Sequence, residues 1–413
     1  MRGSSSDLKL ACFVAAAVGG FELAAKAPKA DAWSLSPAQK KMALKKTAKG
    51  VSAALLALAL PQVARSAEWK TVIVDANGEE ATTGVAVKQG TVELPMRTPP
   101  LSREAVEVSR KAKAVVLLPA EGSPKGGVVF LHGFSQQPKN YETMLRAMAA
   151  SGLEVVAPKT WLFDVIFEKV ETVSGWWKLR AKLQSALIID GLRSVEMLRK
   201  ELGVLSFVGH SMGGAGALVV PSLLRDGKDA ASIFVMSPLS DGAVKTELNP
   251  HLAGDPATYP KLFDAYGSSE PEIVLVSADQ DQIVSPSSVK DVYDAAPPKR
   301  SALARIMVGS HVGYEDSFRI PIPIPFTNGA VTLFSFWDEL IFGSDAIQGF
   351  FGVDYDVQKG LSIALLHRLN AAVSGTTADL ADKVVFDTPV EDWEAVYKLT
   401  SHSPLLKRVL TLQ

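Results

Sequence analysis

Apolar residues recur along the chain in two patterns, as short continuous runs and as longer runs spaced by three to four positions. The continuous runs consist almost wholly of Val, Ile, Leu and Phe, which is typical of buried strands. The spaced runs predict amphipathic helices. Strands are predicted at WKTVIVDA, GVAVKQGTVELP, GGVVFLHG, LEVVAP, VLSFVG, ASIFVMSP, PEIVLVSA and ARIMVG. Helices are predicted at YETMLRAMAASG, at KLQSALIIDGLRSVEMLRKELG and directly after Ser211.

Strands and helices alternate through most of residues 68–413, which predicts one α/β domain. Strands with apolar residues at every position are buried on both faces of their sheet. We therefore expect a mostly parallel central sheet flanked by helices on both sides. The domain also contains two apolar, cap-like segments, at 161–177 and 319–342, and helices near its C-terminus.

Residues 1–67 have the pattern of a two-part targeting leader that lies outside the fold. The apolar run 8–21 is too short to span a bilayer. A lysine-rich segment, 29–50, resembles a plastid transit peptide, and a second apolar run, 51–67, ends in small residues near Ala67. This order predicts a plastid protein addressed to the thylakoid or its lumen. The alternative is a single amphipathic helix that stays attached, in a secreted or membrane-anchored protein.

Composition excludes several function classes. The chain is 47% hydrophobic and 21% charged, with a net charge of −1, and its main body has no basic patch that would bind nucleic acid. The single cysteine, Cys12, lies in the leader. We therefore expect no disulfide, no cysteine chemistry and no thiolate metal site in the folded body.

The segment VGHSMGGAGA contains a candidate nucleophile, Ser211, in a G-x-S-x-G motif between a predicted strand and a predicted helix. A sharp strand-to-helix turn requires small neighbours, which Gly209 and Gly213 provide. The hydroxyl would lie at a helix N-terminus, where backbone N–H groups favour negative charge. The alternative is a glycine-rich turn with no chemistry.

A serine hydroxyl needs a base and an acid, and in this architecture they follow the serine in the order acid, histidine. His311 comes directly after the last apolar strand, so we predict it as the base. His367 lies in a helical pattern, and His402 lies near the C-terminus. Asp281 precedes QIVSP, an order common in the acid loops of this architecture, so we predict it as the acid. The other candidate acids are Asp279, predicted to bond the local backbone, and Asp241.

The oxyanion of an acyl-transfer intermediate needs two backbone N–H donors. One is predicted from Met212, directly after the nucleophile. The other is predicted from Phe134, in the LHGFSQQ loop that follows an early strand. His132 in that loop is predicted to brace the turn and not to act as a base.

Two segments, VVFLHGFSQQPKNYETMLRAMAASGLEVVAPKTW and FVGHSMGGAGA, resemble the chlorophyllases and the related dienelactone-hydrolase and cutinase-like esterases. The resemblance covers roughly residues 115–315. It implies the α/β-hydrolase fold, no cofactor and, for chlorophyllases, a plastid enzyme that removes phytol from chlorophyll. Two positions depart from the plant chlorophyllases: Met212 stands where they carry arginine, and Ser237 where an acid is often assigned. G-H-S-M-G-G is also similar to bacterial polyester hydrolases and lipases.

Aromatic and proline-rich stretches around the predicted site suit an apolar substrate. The prolines of RIPIPIPF favour a stiff, extended segment. Substrate contacts are predicted for Trp161, Trp177 and Phe326. The same apolar segments favour peripheral association with a membrane. The alternative is that these residues only pack within the protein. The predicted function is carboxylic-ester hydrolysis of chlorophyll. The alternatives are a lipase or carboxylesterase acting on plastid lipids, and a non-catalytic binding protein with this fold.

Overall fold

A computed structural model of the chain describes residues 68–95, 111–134, 136–160, 173–198, 202–224, 230–267, 269–316, 320–323, 330–333, 355–375, 379–384 and 393–412. The chain divides into two units, Met1–Gln62 and Val63–Gln413, and every described residue belongs to the second. The predicted leader, 1–67, therefore lies outside the described residues.

A ten-stranded sheet forms the centre of this unit, and a two-stranded sheet stands apart from it. The strands of the large sheet are β1 (Lys70–Val74), β2 (Val85–Glu93), β3 (Lys113–Pro119), β4 (Gly126–Leu131), β5 (Leu153–Lys159), β6 (Leu205–His210), β7 (Ser232–Met236), β8 (Glu272–Ala278), β9 (Ser301–Ile306) and β12 (Tyr397–Ser401). The small sheet pairs β10 (Ile320–Pro323) with β11 (Ala330–Leu333) in antiparallel orientation.

The described helices pack against the large sheet or against helices that do. They are α1 (Glu142–Ala150), α2 (Val173–Met197), α3 (Met212–Ser222), α4 (Tyr259–Asp264), α5 (Pro286–Ala295), α6 (Tyr355–Ser374), α7 (Trp393–Val396) and α8 (Pro404–Leu410). A 3-10 turn, Pro138–Tyr141, leads directly into α1.

The strand order is β1-β2-β3-β5-β4-β6-β7-β8-β9-β12. The central strands from β5 to β9 are parallel, and the flanking pairs are antiparallel. Parallel pairing brings the carboxyl ends of the central strands to one edge of the sheet. The register pairs Leu131 with Gly209 and His210 with Met236, so the loops after β4, β6 and β7 begin side by side.

Successive residues of the central strands enter different hydrophobic cores. In β4, Val129 and Leu131 belong to the core under α2 and α3, whereas Val128 and Phe130 belong to the core under α1 and α6. All four side chains are fully buried. Burial on both faces explains why the strand has no polar position, because a polar side chain on either face would lose its hydration.

The predicted α/β architecture, with a mostly parallel sheet between helices, is confirmed. Two of its strands, β3 and β12, were not predicted, and α2 begins at Val173, before the predicted start at Lys182. The extended conformation predicted from the prolines of RIPIPIPF is present at Ile320–Pro323. The rest of the two cap-like segments falls largely outside the described residues.

Candidate active site

Ser211 occupies the sharp turn between β6 and α3. Its backbone has φ 54° and ψ −121°, the left-handed side of the conformational map that non-glycine residues rarely adopt. Both backbone polar groups are held, because the N–H donates to the Met236 carbonyl and the Ser211 carbonyl accepts from Leu239 and Ala215. The turn is therefore fixed by its neighbours as well as by its own sequence.

Close backbone approach explains the glycines on each side of Ser211. A Cβ atom added to Gly209 would lie 2.3 Å from the Gly213 carbonyl oxygen, and one added to Gly213 would lie 2.1 Å from the Leu131 carbonyl oxygen. Both separations are far shorter than van der Waals contact, and the atoms met belong to the backbone. The G-x-S-x-G pattern thus records a steric requirement of this turn.

The structure brings Ser211, His311 and Asp281 together in one hydrogen-bonded chain. The Oγ of Ser211 lies 3.0 Å from Nε2 of His311, and Nδ1 of His311 lies 2.8 Å from Oδ2 of Asp281. Each of the three residues is 5% exposed. The other carboxylate oxygen, Oδ1, accepts from the N–H groups of Ile283 and Val284 at 2.9 and 2.8 Å. These bonds hold the Asp281 carboxylate in line with the histidine ring.

The other candidate acids and bases make different contacts. The predicted local backbone bonding of Asp279 is wrong: its side chain forms a two-point ion pair with Arg305, at 3.0 and 2.7 Å. The Asp241 side chain is exposed and accepts from the Gly242 N–H. His367 is buried on α6 with Nε2 3.0 Å from the Ala76 carbonyl, and His402 is exposed.

The loop after β4 lies against the nucleophile. A Cβ atom added to Gly133 would lie 3.5 Å from Cβ of Ser211. The Gly133 carbonyl oxygen is 2.9 Å from Nδ1 of His132 and accepts from the Gln136 N–H at 3.3 Å. That carbonyl shares a peptide plane with the Phe134 N–H, which points the opposite way in a trans peptide.

His132 is suited to this bracing contact because it is neutral. It is 1% exposed, and burial lowers its pKa to about 4. A neutral ring that carries its proton on Nδ1 donates to the Gly133 carbonyl. The contact matches the brace that the sequence predicts, and it holds the peptide that precedes Phe134.

The second predicted oxyanion donor, Met212, is the first residue of α3. It is 2% exposed and belongs to the helical turn whose N–H groups have no acceptor within the helix. The helix N-terminus adds a partial positive charge at the same place. Phe134 lines the same pocket as Ser211, and Met212 follows Ser211 directly in the chain.

A buried polar cluster lies behind the nucleophile, and sequence reasoning missed it. The Tyr141 hydroxyl is 2.7 Å from Nδ1 of His210, and it donates to Oε1 of Glu315 at 3.4 Å. The His210 ring packs on the His311 ring with 4.7 Å between centroids. Burial first, and then the nearby His311, lower the pKa of His210 well below its ordinary value. No local signal identifies these residues, because they are far apart in sequence.

Ser211 opens onto a pocket with apolar and charged walls. Apolar side chains from four different loops line it, and Arg180 of α2 and Glu315 add charged groups. Burial lowers the pKa of Arg180, and Asp241 opposes that shift. The apolar lining residues are Phe134, Leu239, Ile283 and Val312.

The three predicted substrate contacts are at positions whose side chains the structure does not describe. Trp161 and Phe326 lie outside the described residues, and Trp177 is described only as helical backbone in α2. Within the described part of the chain, no cluster of His, Cys, Asp and Glu could hold a metal ion. Among the helices of that same part, none is both long and apolar enough to cross a bilayer.

Comparison with known proteins supports the resemblance drawn from the motifs. Residues 82–252 match the family model described as Chlorophyllase. No curated protein matches the chain. One similar solved structure is the PEG-bound complex of a novel cold-adapted esterase from an Arctic intertidal metagenomic library, with 17% identity and a TM-score of 0.40, covering 56% of this chain and 88% of that one.

The match of residues 82–252 includes the loop after β4, the G-x-S-x-G turn and most of the central strands. The match agrees with the predicted enzyme class, a carboxylic-ester hydrolase with the α/β-hydrolase fold. Over these residues the chain is similar to the chlorophyllases.

Proposed function

We propose that the protein is a serine carboxylic-ester hydrolase whose nucleophile is Ser211 and whose substrate is the phytyl ester of chlorophyll. The observation that carries the reaction type is the chain of two short contacts from Ser211 to His311 and from His311 to Asp281. Such a chain joins a nucleophile to its base and the base to a group that orients it.

In the first half of the reaction, Nε2 of His311 takes the hydroxyl proton while Oγ of Ser211 attacks the ester carbonyl. The negative charge that develops on the carbonyl oxygen is stabilised by the N–H groups of Met212 and Phe134. Asp281 keeps the proton of His311 on Nδ1 and stabilises the imidazolium. When the tetrahedral intermediate collapses, the C–O bond breaks and His311 gives its proton to the departing alcohol.

In the second half, water attacks the acyl group on Ser211. His311 takes a proton from that water, and the same two N–H groups stabilise the second tetrahedral intermediate. Collapse returns the proton to Oγ of Ser211 and releases the carboxylic acid. Every step uses groups of this chain and one water molecule, so the proposal involves no cofactor.

Chlorophyll as the ester rests on three supports. The family model matched by residues 82–252 is that of the chlorophyllases. Four apolar side chains line the pocket at Ser211, which suits an apolar ester. The plastid-like order of segments in the leader would bring the protein to thylakoid membranes, where peripheral association would give it access to such a substrate.

The rival substrate is a plastid lipid. It is favoured by Met212, because G-H-S-M-G-G is similar to the motif of lipases and polyester hydrolases, and plant chlorophyllases carry arginine at that position. An arginine there would add charge beside the nucleophile, whereas Met212 is apolar and 2% exposed.

Parallel incubations of the purified full-length protein with chlorophyll a and with galactolipid separate these substrates. Release of chlorophyllide without free fatty acid is the expected result, and Ser211→Ala protein should release neither. Free fatty acid without chlorophyllide would assign the lipase activity instead. Absence of both products, with an equally inactive p-nitrophenyl ester assay, would favour a non-catalytic binding protein.

A further inference from the structure

We infer that Tyr141 is a positioning residue that fixes the backbone of the oxyanion loop through its hydroxyl group. The inference rests on the proposed ester hydrolysis, since an oxyanion forms only in that reaction. The hydroxyl lies where the loop after β4, the turn at Ser211 and the loop after β9 meet.

Gly133 is closely packed against the groups around the nucleophile. A Cβ atom there would lie 3.2 Å from the Tyr141 hydroxyl, 3.3 Å from Nδ1 of His210 and 3.5 Å from Cβ of Ser211. Glycine is also the residue with the greatest backbone freedom. An oxyanion donor must be held in place before the reaction, so the freedom of Gly133 has to be removed by contacts.

The contacts of Gly133 remove that freedom from both sides. Its carbonyl oxygen is held by His132 and Gln136, and its N–H donates to the Tyr141 hydroxyl at 3.3 Å. With both peptide planes held, the orientation of the next N–H, that of Phe134, is fixed as well. Tyr141 provides the only one of these three contacts that comes from outside the loop.

The hydrogen-bonding capacity of the Tyr141 hydroxyl is fully used. It accepts from the Gly133 N–H and donates its proton to Oε1 of Glu315. Its third contact is with Nδ1 of His210, at 2.7 Å.

The position of the hydroxyl is itself held firmly. Tyr141 is fully buried, and its ring packs on Phe130 with 4.9 Å between centroids. The loop that carries Glu315 is tied to the same turn, because the Asp316 N–H donates to the Asn140 carbonyl at 2.6 Å. The Thr143 N–H in turn donates to the Asp316 carboxylate at 2.8 Å. Because these contacts fix the position of the Tyr141 hydroxyl, its hydrogen bond can restrict the backbone of Gly133.

Tyr141→Phe tests the inference, because it removes the hydroxyl and keeps the ring. We expect kcat for p-nitrophenyl butyrate to fall by about 10- to 100-fold, with KM within about threefold, since a misplaced donor weakens transition-state binding alone. Affinity for an alkyl boronic acid, which forms a tetrahedral adduct on the nucleophile, should fall in parallel with kcat/KM.

Tyr266→Phe is the matched control, because it also removes a buried tyrosine hydroxyl, one that donates to the Leu218 carbonyl at 2.7 Å, in the second half of α3 and away from the loop that carries Gly133. Both variants should lose stability in denaturant unfolding, but only Tyr141→Phe should lose kcat. A Tyr141→Phe enzyme with wild-type kcat, or equal losses of kcat in both variants, would overturn the inference while leaving the proposed function intact. A wild-type protein that hydrolyses no ester would overturn both.

Discussion

At the scale of single residues, the environment of each carboxylate decides what it can do. Asp281 directs one oxygen to the His311 ring and the other to two backbone N–H groups. Asp279, two residues earlier, directs both oxygens to the Arg305 guanidinium, whose side chain is 43% exposed. The two aspartates have the same chemistry, so only their contacts distinguish an orienting acid from a partner in an ion pair.

Substitution of these two aspartates should therefore give very different results. Asp281→Asn should lower kcat for p-nitrophenyl butyrate by about 10⁴-fold, because an amide in that position favours the wrong tautomer of the histidine. Asp279→Asn should change kcat by less than about twofold, because the two carboxylate oxygens of Asp279 accept from Arg305 and not from His311. Steady-state kinetics on both proteins would check this, and similar losses would contradict the assignment of the acid.

At the scale of elements, the turn between β6 and α3 depends on two backbones that nearly touch. Gly213 lies against the carbonyl oxygen of Leu131 at the end of β4, so the first turn of α3 and the end of β4 approach as closely as their atoms allow. The loop after β4 starts at that contact. A side chain at position 213 would push apart the two elements that carry the nucleophile and the predicted oxyanion donors.

Gly213→Ala should consequently lower both stability and activity. We expect the free energy of unfolding to fall by about 1–3 kcal/mol, as for other overpacked sites, and kcat to fall with it. Gly203→Ala is the control, because a Cβ atom at Gly203 meets nothing within 4 Å. Denaturant unfolding and kinetics would measure both effects. A Gly213→Ala protein as stable as Gly203→Ala would show that the close approach is not required.

The sequence predicted most of the elements whose signal is local; β3, with the apolar run AVVLLP, is an exception. Strand β4 is an unbroken apolar run, and β6 and β8 are apolar at most of their positions, so they were predicted from burial on both faces of the sheet. β12, with the sequence YKLTS, lies at the edge of the sheet and has exposed positions, so its apolar signal is weak. The antiparallel arrangement at the two edges depends on pairing between distant segments, which periodicity does not encode.

The residues of the candidate site also fall into two groups, those with a local sequence signal and those without one. Ser211, Asp281 and His311 each follow an apolar strand in the order that the fold requires, so sequence reasoning could select them. Tyr141 lies within a predicted helix, and its partners His210 and Glu315 are 69 and 174 residues away. Only the three-dimensional meeting of three loops identifies that cluster.

At the scale of the whole molecule, buried histidines link stability to pH. Burial lowers the pKa of His132 to about 4, and it lowers the pKa of His210 and of His367 as well. In the unfolded chain these rings bind protons near pH 6.5, while in the folded chain they stay neutral. The contribution of these neutral histidines to the free energy of unfolding is fully present above about pH 6.5. It is lost as the pH falls from about 6.5 toward their pKa values in the folded protein.

The free energy of unfolding should therefore decrease on acidification below about pH 6.5, by at most about 1.4 kcal/mol per pH unit for each buried histidine. His367 is remote from Ser211 in the sequence and contacts only the Ala76 carbonyl through its ring nitrogen in the described contacts. His367→Gln removes one of these groups, so it should make the decrease shallower by up to about 1.4 kcal/mol per pH unit. Denaturant unfolding between pH 7 and pH 5 measures the slopes, and an unchanged slope in His367→Gln would contradict this account.

The central claim is that Ser211 carries the acyl group, and rapid-quench mass spectrometry of the full-length protein with p-nitrophenyl butyrate tests it most directly. A butyryl adduct is expected on the peptide that contains Ser211. Ser211→Ala protein should form no adduct and should hydrolyse the ester at least about 10⁴-fold more slowly. An adduct on another residue, or equal rates for wild-type and Ser211→Ala protein, would contradict the account.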